Sequence, residues 1–211
     1  MLSKKLPLLV MMFVMISFLS KAQYEKGSKF WQVEGTFSGN FTSNTNSTPF
    51  PNTTDASTNN SSLTFKRAVF GENNLAKGWL LGYKLEANTS STDYSLDKSN
   101  NYIHTIQAGY FVDKFKPLSK SLAIYGELLA KAGYGIYSGT SNSSINQYSL
   151  DANLNVGFRY YLKKNLFING QTSLVNLSFY QQRTGNYKYT NVNLNSIMNV
   201  SSLSISIGKS F

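Results

Sequence analysis

Over residues 148–161 the chain alternates between apolar and polar side chains. Tyr148, Leu150, Ala152, Leu154, Val156, Phe158 and Tyr160 share one parity, and Ser149, Asp151, Asn153, Asn155, Gly157, Arg159 and Tyr161 share the other. Successive strand side chains point to opposite faces, so this spacing predicts a β-strand with one apolar and one polar wall. A helix would smear both sets around its axis. At ~3.3 Å per residue the strand is roughly 40 Å long. Tilted by ~40°, it spans an apolar band of about 25 Å.

Seven further alternating stretches are expected. The first covers about 29–41, with Trp31, Val33, Phe37 and Phe41 opposite Gln32, Glu34, Thr36 and Ser38. The second, about 62–70, has adjacent Lys66 and Arg67, which put a charge on each face. The third (79–87), fourth (102–112) and fifth (122–137) alternate in the same way. The seventh (166–180) slips phase near Val175 and Asn176, the mark of a bulge. The eighth ends the chain, with Leu203, Ile205, Ile207, Lys209 and Phe211 on one face. Polar loops are expected at about 42–61, 88–100, 138–146 and 181–190, and shorter turns at 71–78, 113–120 and 162–165. Up-and-down outer-membrane barrels have short periplasmic turns and longer outer loops, and an even strand count puts both termini on the short-turn side.

Composition bears on which wall meets which solvent. Charged residues make up 14% of the chain, against ~25% in an ordinary soluble domain. The polar wall carries Glu34, Lys84, Glu86, Glu127, Lys131, Asp151 and Arg159. In a dry soluble core each unpaired ion costs several kcal/mol; inside a narrow barrel these groups form a lumen network of ion pairs and trapped water. Trp31, Trp79, Tyr110, Phe158, Tyr160 and Phe211 gather at the short-turn ends, where amphipathic rings make an aromatic girdle at a membrane interface. A secreted lipocalin-like barrel shares the alternation with its apolar face inward, but such a charged wall is a poor ligand cavity. The expected fold is all-β: an eight-stranded antiparallel up-and-down transmembrane β-barrel, closed because backbone polar groups in lipid must be satisfied internally.

Residues 1–22 read as a signal peptide: Lys4 and Lys5, an apolar run Leu6–Leu19, then Ser20-Lys21-Ala22 as a cleavage site. Residues 23–211 form the barrel domain, which has no run of 18 apolar residues suited to a membrane helix. The net charge of +10 includes three leader lysines, and the remaining basic residues never run longer than a pair, so nucleic-acid binding is not expected. The absence of cysteine excludes disulfides, Cys–metal sites and a Cys nucleophile. No cofactor, metal site or catalytic residue is expected. Lys77, Lys114, Lys116, Lys120, Lys163 and Lys164 gather at the short turns, where each can pair with anionic headgroups for about 1 kcal/mol.

The pattern from Gly78 to Tyr83, the aromatic-rich strand starts, the Ser/Asn-rich loops and the terminal Gly208-Lys209-Ser210-Phe211 resemble the small outer-membrane β-barrels of the OmpA/OmpX type. The resemblance covers the whole mature chain. It implies a Gram-negative bacterial outer-membrane location and a partner, the barrel-insertion machinery, reading a final strand that ends in Phe211. For many members it implies no assigned activity. The expected function is therefore a non-enzymatic, monomeric outer-membrane protein in contact with membrane lipid, whose polar loops meet an unknown surface ligand. Two alternatives are a narrow porin-like channel for small solutes and a lipid A-modifying enzyme. The enzyme would have to use His104, the only histidine, which has no His-x-Ser spacing.

Overall fold

In the computed structural model, described for residues 25–46, 52–92, 95–139, 145–163, 165–184, 187–196 and 204–211, the strands are β1 (Lys29–Asn46), β2 (Asn52–Phe70), β3 (Leu75–Thr92), β4 (Ser95–Pro117), β5 (Leu122–Gly139), β6 (Ile145–Tyr161), β7 (Leu166–Thr184), β8 (Tyr187–Ser196) and β9 (Ser204–Ser210). Each pairs antiparallel with its neighbours, and the β6–β7 pairing joins the two arms of the sheet into a ring. The chain is an eight-stranded antiparallel up-and-down β-barrel. The expected leader lies outside the described residues.

The eighth wall position is built from two segments. β9 pairs with β1 and with the start of β7, while β8 pairs with the end of β7. The strands are also longer than predicted. Residues 53–61, 88–92 and 95–100, expected as loops, continue the wall, with a register irregularity between Ser90 and Thr92. Over residues 55–61 and 88–91 the Ser, Thr and Asn side chains give no apolar alternation, because both faces of the wall are polar there. The phase slip in β7 is a bulge: Leu154 pairs with Val175 and Asn155 with Ser173, leaving Leu174 as the extra residue. It returns Leu177 and Phe179 to the outer face.

Short connections lie at one end: a single 3-10 turn at Glu72–Asn74, the turn through Ser119–Ser121, and the turn after Tyr161. Lys29 and Phe211 exchange backbone hydrogen bonds of 2.8 and 2.9 Å at this same end. The wall separates side chains as the alternation requires. Ile106, Leu128 and Ile205 are 69%, 61% and 63% exposed on the outside, where an ordinary soluble monomer would bury them.

Candidate functional site

The barrel interior is stacked in layers. Nearest the short turns is an aromatic floor. Phe30, Phe70, Phe111, Phe115, Tyr161 and Phe167 point inward from β1, β2, β4, β6 and β7 and are buried. Their rings meet at 5.4 Å (Phe30–Phe70), 5.8 Å (Phe30–Phe167), 5.5 Å (Phe70–Phe115) and 5.6 Å (Tyr161–Phe167). Arg159 lies fully buried among them, its guanidinium carbon 3.9 Å from the centre of Phe167, 4.2 Å from Phe30 and 4.5 Å from Phe115. Its Nε donates to Asn169 Oδ1 at 2.9 Å and its Nη2 to Gln32 Oε1 at 3.1 Å. The cation is thus held by π faces and amide oxygens.

The next layer is ionic. Lys66 Nζ sits 2.6 Å from Glu127 Oε2 and 2.9 Å from Glu34 Oε2, all within the closed interior. Asn155 donates to Glu127 Oε1 at 2.8 Å, and Gln171 donates to Glu34 Oε1 at 3.1 Å. Tyr125 donates to Gln171 at 2.7 Å, tying the two layers together. Gly157 makes room for Tyr125, because a Cβ there would lie 2.8 Å from its ring.

On the hairpin side of this layer is a polar cavity of about 650 Å³, reaching from Glu34 and Lys66 past Lys131 and Asp151 to Ser38 and Ser178. Lys84 and Glu86 form a half-buried ion pair at 3.2 Å. Lys131 donates to Gln107 at 3.3 Å. Asp151 is its register partner, but the two form no ion pair among the described residues.

Of the seven charges expected inside, Glu34, Glu127 and Arg159 therefore lie in the closed layers, Lys84, Lys131 and Asp151 line the cavity, and Glu86 is placed by its pairing with Lys84. Of the six expected girdle aromatics, Trp79, Tyr110, Phe158 and Phe211 are exposed on the outer face, and Trp31 and Tyr160 are partly covered. Sequence reasoning missed the cation at the centre. In the sequence Lys66 is only one of two adjacent charges that fall on opposite faces; its neighbour Arg67 points outward, in register between Trp31 and Trp79. Asp113, expected in a turn, is a buried inward residue of β4, opposite Glu127. The continued parity of Phe111, Asp113 and Phe115 was the signal that could have found it.

His104 lies on the outer face. Its Nδ1 is 2.6 Å from Tyr83 Oη and its Nε2 3.2 Å from Ser138 Oγ. The fold thus supplies a serine that sequence spacing did not. Both partners are neutral, and no carboxylate bonds His104 among the described residues, so the imidazole has no anionic orienter of the kind a serine triad uses.

No family model and no curated protein matches the chain. Similar solved structures include the outer membrane protein OprG from Pseudomonas aeruginosa, 13% identical over 92% of this chain and 98% of that one, TM-score 0.48. Another is the β domain of the Bordetella autotransporter BrkA, 7% identical over 88% and 99%, TM-score 0.36. A third is the transport unit of the autotransporter AIDA-I from Escherichia coli, 8% identical over 88% and 89%, TM-score 0.35.

Proposed function

We propose that this chain is a non-enzymatic integral protein of a bacterial outer membrane. Its barrel is sealed towards the short-turn side, and its polar hairpin ends serve contact with the outside. The observation that carries this reading is the inversion of its two walls: the outer one exposes Leu, Ile and Phe, while the inner one buries an ionic layer and an aromatic floor. A closed ring satisfies its own backbone in hydrocarbon, and the exposed Trp79, Tyr110 and Phe158 suit a membrane interface at the short-turn end. The terminal strand and the aromatic strand starts support placement near the OmpA/OmpX type.

A sealed floor favours a closed barrel over a channel, since eight strands leave an interior that side chains can fill. The expected result in planar bilayers is a flat baseline after insertion of the protein; steady discrete openings would establish the channel instead. The His104–Ser138 contact is the one observation that favours a lipid-modifying enzyme. Without a charged orienter we expect His104→Ala to leave lipid A acylation in whole cells unchanged. A change in the acylation pattern on that substitution would make the protein an enzyme.

A further inference from the structure

The outer face of the barrel carries a groove of about 570 Å³ near the short-turn end. Two cross-strand rows of outward residues define it. Lys116, Ile124, Phe158 and Gly170 are successive register partners across β4, β5, β6 and β7. One step towards the hairpins, Lys114, Gly126, Val156 and Thr172 repeat the arrangement. The side chains of the first row stand up as a wall, whereas Gly126 leaves a trough in the second. Phe158 leans away from that trough onto Gly170, where a Cβ would lie 2.7 Å from its ring. A Cβ on Gly126 would meet only the Asn155 carbonyl oxygen, at 3.9 Å.

One end of this apolar trough is cationic. Lys114 Nζ donates to Asn73 O at 2.6 Å, which ties it to the β2–β3 turn, on the opposite side of β4 from Gly126. Lys116 is exposed and has no ion-pair partner among the described residues. The acid on the β2–β3 turn that holds Lys114, Glu72, is paired with Lys26 at 2.8 Å. An apolar slot in the lipid-facing wall, ending on an unneutralised ammonium at interface depth, matches one ligand chemistry: an acyl chain joined to an anionic phosphate headgroup.

We propose that this groove is a specific site for one anionic phospholipid of the leaflet at the short-turn side, its acyl chain over Gly126 and Val156 and its phosphate at Lys116. The site rests on the membrane reading above, and the test separates the two. The purified protein is first inserted into phosphatidylcholine vesicles, with insertion scored by protease protection. It is then extracted into neutral detergent and examined by native mass spectrometry with equal amounts of phosphatidylglycerol and phosphatidylcholine. The wild type retains one phosphatidylglycerol in preference to phosphatidylcholine by about fivefold, as one lysine–headgroup contact implies. Gly126→Leu fills the trough and lowers retention of both lipids by about fivefold or more. Lys116→Gln makes the two lipids equivalent while total retention persists, and it carries the test alone should Gly126→Leu not insert. Gly35→Leu, at another outward glycine with no neighbour within 4 Å of its Cβ position, retains lipid like the wild type. Insertion without phosphatidylglycerol preference, or a Lys116→Gln protein that keeps it, overturns the site and leaves the membrane reading standing. Failure of the wild type to insert overturns both.

Discussion

Replacing Lys66 with methionine destabilises the inserted barrel by about 3–5 kcal/mol, the cost of leaving buried charge without its partner. Methionine roughly fills the space of the lysine stem, so packing changes little. What is lost is the ammonium that lies 2.6 Å from Glu127 and 2.9 Å from Glu34. Asn155 and Gln171 still donate to those carboxylates, but two neutral donors do not offset two anions in a closed layer. The measurement is the urea midpoint of the protein in vesicles, followed by the electrophoretic shift between folded and unfolded forms. Adding Glu127→Gln to Lys66→Met removes one of the orphaned charges and recovers part of the loss, a coupling that a double-mutant cycle reads directly. A Lys66→Met protein within about 1 kcal/mol of the wild type would show that water reaches the trio and screens it.

Arg159→Ala comes next, at about 3 kcal/mol or more. Three ring faces lose a cation worth roughly 0.5–2 kcal/mol apiece in a desolvated site, and Gln32 and Asn169 lose a charged donor. Arg159→Lys restores the charge but recovers only part of the stability, because a compact ammonium cannot lie flat against several rings while donating in two directions. The same urea series checks this ordering: wild type, then Lys, then Ala. If Lys and Ala behave alike, charge alone contributes little and the planar fork is what the floor requires.

How much of this was legible beforehand follows from what alternation can and cannot encode. Parity assigned Tyr148–Tyr161 to its two walls because one wall is apolar, and any one-residue slip would have exchanged them. Over residues 55–61 both walls are polar, so period two leaves no trace and a strand reads as a loop. In β2 a charge on each face blurred the parity at Lys66, the residue that organises the ionic layer. Asp113 was lost for a different reason. The lysines and Pro117 that follow it look like a turn, whereas β4 runs on to Pro117 before the chain bends. The bulge at Leu174 was visible because a slip between two well-phased stretches leaves a step. The contact of Ser138 with His104 joins residues 34 positions apart, and strand register, set by chain-wide pairing, is absent from any local pattern.

On the sealed reading proposed above, the aromatic floor makes the barrel a thimble rather than a pipe. Whatever small polar solute or water fills the space above Lys66 arrives and departs through the same mouth. On that reading its occupancy follows the composition of a single compartment, and no concentration difference between the two sides of the wall drives a net flow through it.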